Sequence, residues 1–118
     1  ATRDFIHAHD VAVGIIDALN LNEPELINLS SGEEISIKQV VDYLIDISQF
    51  SNDIEWDSSR VAGQSRRFFD ISKSQNILNF KQSFSLYEGL KDTYDWYKIN
   101  KNNARNNFER NLEEQNEN

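Results

Sequence analysis

The sequence predicts an α/β fold class, in the form of a small α+β lobe. Short apolar runs alternate with amphipathic helical patterns along the chain. Three capping boxes, Ser36/Gln39, Ser72/Gln75 and Ser85/Glu88, mark where helices begin. At 118 residues, one domain is the default.

Arg3 to His7 alternates charged and apolar residues and is expected to be a short strand. Asp10 fits a helix N-cap, and Val11, Ala12, Ile15, Ile16 and Leu19 recur at helical spacing, which predicts a helix over 11–19. A loop surrounds Pro24. Leu26 to Leu29 is expected to be a buried strand, followed by a turn at Ser30-Ser31-Gly32. The clearest helix is 37–49, with Ser36 as cap, Ile35 and Val40 placed as a hydrophobic staple, and an apolar face of Ile37, Val40, Val41, Leu44 and Ile45. Ile54 to Trp56 is expected to be a short strand, and Arg67 to Phe69 to be extended. A short helix starts at Ser72 and ends near Asn79. The next helix, opened by Ser85, carries a stripe of Leu86, Leu90, Tyr94 and Tyr97. These elements make up a domain over 1–99. Eight of the last nineteen residues are Asn, so 100–118 is expected to be a frayed helix or disordered tail.

Composition excludes several functions. Cysteine is absent, which removes disulfides, thiolate nucleophiles and thiolate metal sites, and fits a reducing, cytoplasmic compartment. No apolar run approaches the roughly 20 residues needed to span a bilayer. A formal charge of −8 argues against nucleic acid or an anionic membrane as a partner. The four glycines form no Gly-rich phosphate loop. Methionine is absent and the chain opens inside an apolar run, so a piece of a longer polypeptide is expected. A lobe shaped against a larger partner should also expose apolar surface.

Against that acidic background, Trp56 to Asp70 stands out. It carries Arg60, Arg66 and Arg67 with no acid between them, around Gly63. The planar guanidinium fork suits phosphate geometry, which makes the stretch a candidate anion site. Composition equally allows a solvated loop whose arginines pair with nearby acids. Other patterns are weaker. Tyr-x-x-x-Lys, which places a Lys beside a Tyr and can lower its pKa, occurs three times in one helix, at Tyr87/Lys91, Tyr94/Lys98 and Tyr97/Lys101. Its tyrosines are expected to pack inward. His7 and His9 lack a third metal ligand, so a structural or ligand-contacting role is expected. Glu33 and Glu34 read as solvated turn residues.

Four stretches carry a resemblance: RDFIHAHDVA, INLSSGEEISIKQVVDYL, IEWDSSRVAGQSRRFFDISKS and SFSLYEGLKDTYDWY. In this order they resemble the C-terminal substrate-binding part of the extended short-chain dehydrogenases, the NAD(P)-dependent nucleotide-sugar epimerases, dehydratases and reductases. Within that family the GDP-L-fucose synthase branch is the most similar. The resemblance implies that Arg3, Arg60 and Arg66 bind a nucleotide-diphosphate sugar, and that the site residues in this chain are substrate-binding and not catalytic. It implies a parent enzyme using NADP or NAD, typically homodimeric, whose N-terminal Rossmann domain and catalytic Tyr-x-x-x-Lys helix would precede Ala1. The chain alone is then expected to bind no cofactor and to carry out no hydride transfer. The pattern departs from the family at Ala62, where a substrate-contacting Asp is usual, and at Val61 and Ser65, which replace prolines. UDP-sugar epimerases or dehydratases, and a non-enzymatic nucleotide- or anion-binding module, are the alternatives.

Overall fold

The structure is a computed structural model. It describes residues 1–57, 59 and 63–116, with side chains described through residue 103. Six elements follow in order: β1 (Thr2–Arg3), α1 (Ala8–Ala18), β2 (Ile35–Ser36), α2 (Ile37–Ser48), α3 (Ser72–Leu78) and α4 (Leu86–Asn116). β1 and β2 pair antiparallel, Thr2 opposite Ser36 and Arg3 opposite Ile35. α1 packs on α3 and α2 on α4. The result is an α+β lobe of four helices around a two-stranded sheet, among the described residues.

Local chemistry accounts for the helix starts. Ser36 Oγ accepts from Gln39 N at 3.1 Å and Gln39 Oε1 accepts from Ser36 N at 3.1 Å, closing the expected box at α2. Ser85 and Glu88 close the same loop before α4, with Ser85 N donating to Glu88 Oε2 at 2.9 Å. α2 ends at Ser48, where Gln49 takes a left-handed φ of 56° as C-cap.

The other two helix starts depart from expectation. α1 begins at Ala8, capped by His7, whose Nδ1 accepts from His9 N at 3.2 Å. Asp10 is therefore not the cap. It lies in the first turn, 1% exposed, and accepts from Ser83 N at 2.8 Å and Phe84 N at 3.2 Å. A carboxylate can serve a distant turn as well as its own helix, and sequence spacing does not separate the two. At α3 the N-cap is Ile71, with no side-chain cap bond. Ser72 instead gives its N–H and hydroxyl to Asp70 Oδ1 at 2.9 and 2.5 Å, so the Ser72/Gln75 box does not form.

The strands shrink most. The Arg3–His7 strand contracts to Thr2–Arg3, because Asp4 turns its carboxylate onto Ser31 N at 2.9 Å and Gly32 N at 3.2 Å. Gly32 makes that turn at φ +74°. Leu26–Leu29, Ile54–Trp56 and Arg67–Phe69 form no ladder, and Leu26 is 89% exposed. An apolar run records a need for burial, whereas a strand also needs a partner edge.

The helix α4 continues through the Asn-rich segment to Asn116. Among the described residues only Phe80, at 7% exposure, is a buried hydrophobic. Gly14 lets α1 approach that centre: a Cβ there would sit 2.7 Å from Leu29 Cδ2. The solvent-accessible surface is 9530 Å², against roughly 6,600 Å² for a compact monomer of this length. The radius of gyration is 17.7 Å, against about 13.5 Å. Val13, Ile15 and Ile16 on α1, Leu19 at its C-cap, and Trp96, Tyr97 and Ile99 on α4 face solvent. The apolar exposure expected from the sequence is present on two separate helices.

Candidate functional site

The Arg-rich loop returns to the fold at β1. Thr2 N donates to Ser65 O at 2.9 Å and Arg67 N donates to Thr2 O at 3.2 Å, which makes a parallel bridge between Thr2 and Arg66. Thr2 also faces Ser36 of β2, and Ile37 N donates to Ala1 O at 3.1 Å. Three distant segments therefore meet at Thr2: the chain start with Arg3, the Glu34–Ser36 turn into α2, and the end of the Arg-rich loop.

Arg66 reaches across this junction to Glu34. Its Nε lies 2.9 Å from both carboxylate oxygens and its Nη2 lies 2.7 Å from Oε2. Thr2 Oγ1 donates to Glu34 Oε1 at 2.5 Å. Hydrogen bonds from Arg66 first, then Thr2, hold the Glu34 carboxyl down to about 2, and the hydrogen bond to Glu34 raises Arg66 in turn. The guanidinium also lies 5.3 Å from the Phe68 ring centre. Glu34, expected to be a solvated turn residue, is instead the anionic half of the junction. A bidentate partner 32 residues away leaves no signal in local sequence.

Arg3 is half-buried and donates from Nη1 to Thr2 O at 2.6 Å. Arg67 gives Nε and Nη2 to Gln64 Oε1 at 3.1 and 3.0 Å. The structure thus places Arg66, through its bridge to Thr2, beside the β1 strand that carries Arg3. Arg60, with Val61 and Ala62, lies outside the described residues.

A second cluster surrounds His7. Its ring stacks on Phe84 with centroids 4.3 Å apart, and its Nε2 lies 3.2 Å from Asp92 Oδ2. Gly89 permits this approach, since a Cβ would stand 3.3 Å from the ring. An open, largely apolar cavity of about 290 Å³ lies beside it, lined by Phe5, Ile6, Leu86, Leu90 and Thr93 among others. His7 caps one helix and is braced by another, a structural role. Among the described residues, no group of three His, Cys, Asp or Glu is placed to hold a metal. No helix there is long and apolar enough to cross a membrane.

The Tyr/Lys pairs form no acid–base dyad. Tyr87 donates to Asp46 Oδ2 at 2.6 Å, and that hydrogen bond raises its pKa, the wrong direction for a base. Lys91 pairs with Asp95 at 2.6 Å. Lys98 sits 5.6 Å from the Tyr94 ring centre. Tyr87 and Tyr97, expected to pack inward, are exposed.

No protein-family model matches the chain. It is 34% identical over 96 residues to a probable GDP-L-fucose synthase 1 of Oryza sativa subsp. japonica, covering 80% of this chain and 29% of that protein. It is 35% identical over 99 residues to a UDP-glucuronate 4-epimerase of Thermodesulfobacterium geofontis, covering 83% and 31%. Among solved structures, the Bordetella bronchiseptica enzyme WbmF in complex with NADH superposes with a TM-score of 0.72 at 33% identity, covering 85% of this chain and 30% of that one. The chain thus spans about a third of the length of these relatives.

Proposed function

We propose, from the premise that this chain belongs to the NAD-dependent epimerase/dehydratase family of extended short-chain dehydrogenases, that it is the sugar-nucleotide-binding part of an NAD(P)-dependent nucleotide-sugar epimerase or reductase. A GDP-sugar is the substrate, Arg3, Arg60 and Arg66 contact its diphosphate, and the working enzyme is a cytoplasmic homodimer. The observation that carries this reading is the junction at Thr2, where a single bridge sets the end of the Arg-rich loop beside the strand that carries Arg3. In an acidic chain, the arginines around this junction supply planar donors that suit a diphosphate.

The glycines stand at 14, 32, 63 and 89 and form no Gly-rich turn. These residues therefore do not fit a dinucleotide cradle, and no chemical step is assigned to them. Their part is to bind and orient the sugar nucleotide. Calorimetry on the full-length protein tests this: GDP is expected to bind more tightly than UDP or dTDP, with at least tenfold weaker binding after Arg3→Ala. Equal affinity for all three nucleotides would move the assignment away from a GDP-sugar. The relative acting on a UDP-sugar supports that second substrate class. Ala62, where the family has a contacting Asp, favours a third reading, a binding module without turnover; binding with no product formed in the full-length protein would select it.

A further inference from the structure

We propose that Glu34 is a built-in competitor at the anion site. Its carboxylate occupies the Arg66 guanidinium until a diphosphate displaces it, so Glu34 sets the affinity with which the site takes its ligand. The inference rests on the reading of Arg66 as a diphosphate contact.

Carboxylate and phosphate present the same face to a guanidinium: two oxygens in one plane, accepting two parallel N–H bonds. Glu34 takes both the Nε and the Nη2 donors of Arg66. Those are the donors a bidentate phosphate needs, so the two anions cannot be held there together. Of the described arginines at the junction, Arg3 and Arg67 face neutral acceptors, Thr2 O and Gln64 Oε1. Arg66 is the one whose charge is already matched.

Exchange is cheap at this position. The Arg66 side chain is 63% exposed and that of Glu34 31%, so a ligand can approach the pair from solvent. Exposed pairs of this kind are weak, because water and salt screen them. The released carboxylate keeps a donor in Thr2 Oγ1. Arg66 itself stays anchored through its neighbours, since Ser65 O and Arg67 N hold to Thr2 by the backbone. The guanidinium can therefore swing toward a ligand without undoing the junction.

The test is calorimetric titration of the full-length protein with inorganic pyrophosphate and with GDP. Glu34→Gln is expected to tighten both by about two- to fivefold, the size set by an exposed pair, and Arg66→Ala to weaken both. In the Arg66→Ala background, Glu34→Gln is expected to change nothing, because the competition runs through that guanidinium. Glu34→Asp keeps the charge but shortens the reach, and its affinity should lie between wild type and Glu34→Gln; it decides the matter if Glu34→Gln fails to fold. Unchanged or weaker binding in Glu34→Gln, with Arg66→Ala still harmful, overturns the competitor and leaves the substrate site standing. Equal tightening with and without Arg66 reduces the effect to one less negative charge and overturns it too. If Arg66→Ala has no effect, the role of Arg66 in the site falls, and the competitor falls with it.

Discussion

Asp10 and Glu34 are both carboxylates held below their ordinary range, and they are held in opposite ways. Asp10 is buried: burial works against its charge, and the backbone N–H groups of Ser83 and Phe84 more than offset that, leaving the pKa lowered. Glu34 is reachable by solvent and is held by two side chains, Arg66 and Thr2. Backbone donors cannot leave without unfolding the turn they belong to, so Asp10 is architecture. Side-chain donors can rotate away, so Glu34 is exchangeable. The same contrast separates two regions of the lobe. One is the α1–α4 corner, packed around His7, Phe84 and Gly89. The other is the arginine junction, joined through polar groups at the surface.

The strongest way to break this contrast is Asp10→Asn. The amide offers one acceptor oxygen where two N–H groups need acceptors, and leaving a buried donor unpaired costs about 1–3 kcal/mol. Urea unfolding is expected to show that loss at neutral pH. A loss under half that size would mean that Ser83 and Phe84 find other acceptors.

The pH profile sharpens the same point. A carboxyl with a lowered folded pKa binds fewer protons folded than unfolded, so it adds stability above its unfolded value, about 3.9 for Asp. That stability is lost as pH falls through the folded value. Asp10→Asn should flatten the acid limb of a stability-versus-pH curve below about pH 4, where wild type declines. Glu34→Gln should remove a part of that limb extending down toward pH 2, the Glu34 carboxyl being held to about 2.

Ser36→Ala comes next. It removes the acceptor for Gln39 N and half of the box that starts α2, at an expected cost of about 1 kcal/mol. Because β2 leads directly into α2, the variant should also weaken pyrophosphate binding slightly. Unaltered binding would show that the junction is independent of the helix start. The smallest effect is expected for Tyr87→Phe. It removes the bond to Asp46 but keeps the ring against Tyr43, 5.5 Å away. The thermal midpoint should fall by no more than a degree or two and nucleotide binding should not change. A loss of turnover in the full-length protein would restore Tyr87 as a candidate acid–base group.

Legibility in the sequence followed the range of the interaction. Ser36 with Gln39 and Ser85 with Glu88 are three residues apart, and both boxes form as spaced. Ser72 with Gln75 has the same spacing and fails, because Asp70, two residues upstream, offers the hydroxyl a charged acceptor. The apolar face of α2 was visible as periodicity, while the expected strands at 26–29 and 54–56 were apolar runs without partner edges. Resemblance across four ordered stretches located the Arg-rich loop and Arg3, but it did not show that Glu34 already occupies Arg66.

By itself, then, the sequence determined the helices, the caps of α2 and α4, and the unusual run of arginines on an acidic chain. Each depends on neighbours within a turn or on composition, which the order of residues states directly. The tertiary structure alone decided that Asp4 clamps the Ser31–Gly32 turn, that Asp10 holds Ser83 and Phe84, and that Thr2 joins Arg66 to the edge of β2. Each of those contacts joins residues 27 or more positions apart. A short polar side chain reaching that far is chosen by packing, and no local pattern encodes its partner.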